Sequence, residues 1–132
     1  MEFFIKQNSE SPILLMEVVN DGRTDNYKEF NELLVNSFIR FSMKRESDGV
    51  QKIFMNNAYI TEKILINPDA PSEYYIYYKW KEKDTNQKGR FLGEFSITME
   101  NGHLICPIRE QLYINIIWLT QKLILYFNKY QE

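Results

Sequence analysis

The side chains able to do chemistry are few in this chain, and their spacing restricts what they could do. His103 is the only histidine and Cys106 the only cysteine. A thiol and an imidazole make a nucleophile–base dyad only when they touch. Three positions apart on an extended segment they point to opposite faces, so the expectation is a turn histidine and a buried cysteine. A structural zinc site wants four ligands, and the sequence does not supply them. The carboxylates Glu62, Glu73, Glu94 and Glu100 could be imagined as an acid/base pair, which needs a defined separation and shifted pKa values. The sequence fixes neither, and these acids read as a solvated face. Asn20-Asp21-Gly22-Arg23-Thr24-Asp25 has a trace of calcium-loop composition but lacks the spaced acids and closing glutamate of an EF-hand, so it reads as a plain loop. Phosphate-binding, dinucleotide, nucleophile-elbow and zinc-protease motifs are missing. No catalytic residue, cofactor or metal is expected, and the chain reads as a non-enzyme.

Tyr75, Tyr77 and Trp80, with Lys79, could form a stacking platform for sugars or single-stranded nucleic acid. Core and cross-strand pairing of the same rings is the preferred alternative, because aromatic side chains dominate cores as well as interfaces.

The elements that must position these residues are mostly strands. In Phe91–Met99, Phe91, Gly93, Phe95, Ile97 and Met99 fall on one side and Leu92, Glu94, Ser96 and Thr98 on the other, the period-2 pattern of a half-buried strand. Asn101-Gly102 follows, the strongest short hairpin signal, because a type I′ turn needs positive φ at both central residues. His103–Cys106 is the return strand. Gly93 lies on the inward row, where its missing side chain is expected to leave room for a ring.

Further strands are expected at 3–6, 13–19, Phe38–Met43, 50–54, 58–66, Tyr74–Lys81 and 112–116, with Asn56-Asn57 separating the fourth and fifth of these. In the aromatic strand, Tyr74, Ile76, Tyr78 and Trp80 share one face and Tyr75 and Tyr77 the other; it is expected to be central. Tyr27, Phe30, Leu33 and Leu34 give Asn26–Asn36 one helical stripe, with Asp25 as N-cap. Strands at short intervals joined by turns predict an immunoglobulin-like antiparallel β-sandwich with one short helix.

The 132 residues are 44% hydrophobic and 15% aromatic, enough for one domain with a real core. The net charge of −2 provides no global basic field for nucleic acid. A single cysteine permits no internal disulfide and fits a reducing compartment. No apolar run approaches the roughly 20 residues that span a bilayer, and no signal peptide is expected from Met1–Lys6. Neither a nucleic acid nor a membrane is therefore an expected partner.

Residues 1–117 are read as the sandwich and 118–132 as an apolar C-terminal arm or packed terminal segment. Wound as a helix, Trp118, Leu119, Lys122, Leu123, Tyr126 and Phe127 follow i, i+4 spacing, while Ile117, Ile124 and Leu125 cover much of the remaining circumference. A helix apolar nearly all round is buried, usually between partners, so an intermolecular arm is preferred. The expected protein interface is Trp118, Leu119, Leu123, Tyr126 and Phe127, together with Tyr75 and Tyr77.

Several segments occur in a recognisable order: Ile39-Arg40-Phe41-Ser42-Met43, the turn Ser47-Asp48-Gly49, Ala58-Tyr59-Ile60, Tyr75-Ile76-Tyr77-Tyr78, and Thr85 leading to Gly89-Arg90-Phe91-Leu92-Gly93-Glu94-Phe95-Ser96-Ile97. From about Phe38 to Ile116 this resembles the N-terminal β-sandwich domain of tailed-phage upper baseplate proteins. The opening Met1–Ser9, with Val18–Arg23, is similar to small virion proteins of crAss-like phages. The helix-like 26–36 segment and the apolar tail depart from the baseplate pattern. The resemblance implies a structural virion subunit, assembled in the host cytoplasm, oligomeric, docking other virion proteins, with no active site. A carbohydrate-binding module using the aromatic strand is the alternative.

Overall fold

Apolar residues at every second position turn one side of each extended segment inward, and hydrogen bonding between neighbours gathers those sides around a common core. The computed structural model describes residues 1–18, 27–63, 73–108 and 110–118, the side chains of 27–29 excepted. Among them the order is β1 (Glu2–Lys6), β2 (Leu14–Glu17), α1 (Tyr27–Val35), β3 (Phe38–Arg45), β4 (Gln51–Glu62), β5 (Tyr74–Tyr78), β6 (Gly89–Met99), β7 (Gly102–Cys106) and β8 (Leu112–Ile117). A 3-10 turn, Glu82–Asp84, lies between β5 and β6. The expected class, mostly β with one short helix, is the class observed.

The strands follow one hydrogen-bonded path, β1-β8-β6-β3-β4-β5-β2, and β7 pairs with β6 off that path. β1–β8 is parallel and the other pairs are antiparallel. β6 is the spine. It pairs with β3 on one side, and on the other with β8 through residues 89–93 and β7 through 95–99. The path curls until it is nearly barrel-like.

β4 makes the corner. Two strands flanking Asn56-Asn57 are expected from sequence, but the structure has one strand of 12 residues, Gln51–Glu62. Phe41 and Met43 lie two apart on β3, whereas their partners Asn56 and Ile53 lie three apart. The extra residue is taken up as a bulge with Met55 at φ 51°. The Ser42 hydroxyl accepts the Met55 N–H at 2.9 Å, and the Asn56 amide donates to the Tyr78 hydroxyl at 3.1 Å. Asn56, which would break a strand, therefore has its side chain bonded within the sheet. Bulged strands bend, so β4 pairs with β3 up to Ala58 and with β5 from Tyr59 onward.

The core centres on Phe41, whose ring lies 4.7 Å from Tyr78, 5.0 Å from Phe95 and 5.7 Å from Trp80. Gly93 makes the room, since a Cβ there would stand 3.0 Å from Phe41 Cζ and 3.4 Å from Ile114 Cγ1. Phe91, Phe95 and Ile97 on β6, and Leu112, Ile114 and Ile116 on β8, are buried as their alternation predicts. From α1, Leu34 is buried and Phe30 packs against the core; the proposed cap Asp25 lies outside the described residues.

The hairpin turn is displaced by one residue from expectation. Met99 pairs with Gly102, leaving Glu100-Asn101 as the two-residue link, and Gly102 opens β7 at φ 157°. The register is fixed by burial: Phe95 opposite Cys106 and Ile97 opposite Leu104 place apolar side chains of β7 inward.

A candidate docking face on β2, β5 and β4

The pairing of β2, β5 and β4 aligns Leu15 with Tyr77 and Tyr77 with Tyr59, and in the next row Glu17 with Tyr75 and Tyr75 with Thr61. Alternation sends Leu14, Met16, Ile76 and Tyr78 into the core. The intervening residues point out. Leu15 is 46% exposed, Tyr59 49% and Ile13, just before β2, 42%. The Tyr59 and Tyr77 rings sit side by side, 5.7 Å apart and tilted by 36°. The result is an outward apolar row crossing three strands.

One end of this face is acidic. Lys63 binds Glu17 at 2.7 Å and Glu73 at 3.2 Å, and its ammonium lies 5.5 Å from the Tyr75 ring centre. The hydrogen bond to Glu17, then that to Glu73, hold the Lys63 ammonium well above its usual range. Two carboxylates share this one cation.

Of the residues expected at an interface, Tyr75 and Tyr77 come together here, both half-buried. Trp80 does not join them. It is buried inside against Phe3, Phe41 and Tyr78, because it shares the inward parity of Ile76 and Tyr78; for Trp80 the preferred core reading holds and the platform does not. Trp118, one residue past β8, is 44% exposed and lies under the Lys88 ammonium, 3.5 Å from the ring centre. It leans on the segment leading into β6, not on the tyrosine face. Leu119, Leu123, Tyr126 and Phe127 lie outside the described residues. Leu15 and Tyr59 were missed from sequence. Each is the outward member of an alternating segment, but only the strand pairing sets them beside Tyr77.

The remaining polar groups have structural work. His103 Nε2 lies 3.2 Å from Ser96 Oγ, and Nδ1 lies 3.3 Å from Thr98 Oγ1, on the outer face of the hairpin. Cys106 faces the core, and burial pushes its thiol up to about 11. Imidazole and thiol are thus on opposite sides of β7. The Tyr78 hydroxyl donates to Asp84 at 2.6 Å, and Asp84 also accepts the Lys81 N–H at 2.9 Å. Burial, then the Asp84 bond, raise the Tyr78 phenol above its usual range. Glu62, Glu73, Glu94 and Glu100 are all exposed. Among the described residues no group of three or more His, Cys, Asp or Glu is placed to hold a metal ion, and no helix is long and apolar enough to cross a membrane. An open cleft of about 140 Å³ is lined by Ser42, Lys44, Gln51, Leu92 and Glu94 among others. That is below the ~300 Å³ at which small-molecule sites begin.

No family model, curated protein or solved structure matches this chain. The face itself, with the polar groups around it, is therefore the ground for any functional reading.

Proposed function

We propose that this chain is a non-enzymatic structural subunit that docks other proteins, and that its setting is a tailed-phage virion. The observation that carries the docking reading is the outward-facing row Leu15–Tyr77–Tyr59, whose outer members are exposed and whose centre is half-buried, bordered by Ile13 and Tyr75. Tyrosines present large, rigid, amphipathic area at low entropic cost, and an apolar row with a charged margin is the pattern of an interface core and rim. The virion setting is supported by the ordered resemblance of residues 38–116 to phage baseplate sandwich domains. The apolar sequence of 119–132 supports a second point of attachment.

The test is incorporation. A tagged Leu15→Glu, Tyr77→Ala chain, expressed during infection beside a tagged wild-type chain, is expected to be excluded from particles while remaining folded. Equal incorporation of the two would remove this face from the account. A second reading, a glycan-binding surface, is favoured by the paired Tyr59 and Tyr77 rings, since adjacent aromatic faces can stack on sugar rings. Saturable binding on a glycan array, lost on Tyr77→Ala, would select it over the docking subunit.

A further inference from the structure

The same face has unequal ends, and the inequality points to its occupant. At one end two carboxylates, Glu17 and Glu73, share the ammonium of Lys63, an excess of one negative charge among the described residues there. At the other end Lys79, one residue past the end of β5 and two beyond Tyr77, is exposed. Between them runs the apolar row Leu15–Tyr77–Tyr59. Tyr75 and Lys79 stand equally far from Tyr77 along the chain, one on each side. A surface with a basic end, an apolar middle and an acidic end is complementary to itself when turned end for end.

We propose that the occupant is a second copy of this chain, packed face to face about a two-fold axis along the Leu15–Tyr77–Tyr59 row. This rests on the docking reading above and names its partner. A rotation about that row reverses strand direction while keeping β2 over β2, β5 over β5 and β4 over β4. Leu15, Tyr77 and Tyr59, on the axis, then each meet their own counterpart, and the Lys79 ammonium of each copy lies over Tyr75 and beside Glu17 of the other. The carboxylate pair that shares Lys63 gains a second cation, and the contact occurs twice, as an isologous interface requires. The patch has fewer residues than the roughly 20–30 a side of a standard interface, so the dimer is weak and forms at high concentration.

Charge reversal tests the register. In a Lys79→Glu chain, glutamate meets Glu17 at both contacts; in a Glu17→Lys chain, lysine meets Lys79 at both. Each variant alone is expected to dimerise at least about tenfold more weakly than the parent in sedimentation at ~100 µM. An equimolar mixture restores opposite charge at both contacts and is expected to sediment as a heterodimer. Leu15→Glu, on the axis, replaces Glu17→Lys in the weakening arm if that variant fails to fold. A monomeric parent, variants as dimeric as the parent, or a mixture that stays monomeric would each overturn the dimer. A monomeric chain that still enters particles sinks the dimer and leaves the docking reading standing. A dimeric chain absent from particles does the reverse.

Discussion

At Gly93 one absent methyl group decides how the core closes. Phe41 leans into the space where a Cβ would be, and its ring is hemmed in by Tyr78, Trp80 and Phe95, so it has nowhere to retreat. Gly93→Val is expected to destabilise by about 1–3 kcal/mol through overpacking, read as a lower denaturant midpoint at unchanged slope; an unchanged midpoint contradicts the packing. Cys106 makes a separate prediction in pH. Its thiol is raised to about 11 in the folded chain, against about 8.5 unfolded. The native state keeps its proton where the unfolded state has released it, so this contribution is whole below pH 8.5 and is lost as pH rises toward 11. Relative to Cys106→Ala, the wild-type chain should lose about 2–3 kcal/mol between pH 8 and 11. A constant difference between the two would show that the thiol is not held in the apolar core. The inward facing of Gly93 and Cys106 was legible in the sequence, because a period of two leaves no choice of side once a strand is recognised.

Elements were legible where alternation is unbroken, and less so where a tertiary contact overrides it. β3, β6 and β8 follow directly from their patterns. β4 does not, because the Ser42 hydroxyl that accepts the Met55 N–H comes from another strand, and no reading of Val50–Ile66 alone contains it. Beside the bulge, Phe54 is 73% exposed. Ser42→Ala leaves that N–H without its partner, and is expected to cost about 1–3 kcal/mol and to speed hydrogen exchange at Met55 and Asn56 before the rest of the sheet. Uniform exchange across β3 and β4 would mean the bulge holds without the serine. The turn position failed for a related reason: Asn101-Gly102 is a strong local signal, but the register is set by Leu104 and Cys106 reaching the core.

For the whole molecule, the sequence foretold a mostly β chain with one short helix, and half of the candidate face. Tyr75 and Tyr77 could be found from one strand; Leu15 and Tyr59 required knowing that β5 lies between β2 and β4. Among the described residues the last strand ends at Ile117 and the buried core lies within residues 5–116, so a chain ending at Trp118 is expected to keep a cooperative unfolding transition. Loss of that transition would place residues 119–132 in the core and end their role as an attachment. The central claim, a structural subunit docked in a virion, is tested most directly by quantitative mass spectrometry of purified, high-salt-washed particles from infections in which this chain is expressed. The chain is expected at a fixed ratio to the other particle proteins across preparations. Its absence from particles whose other proteins are fully detected would contradict the account.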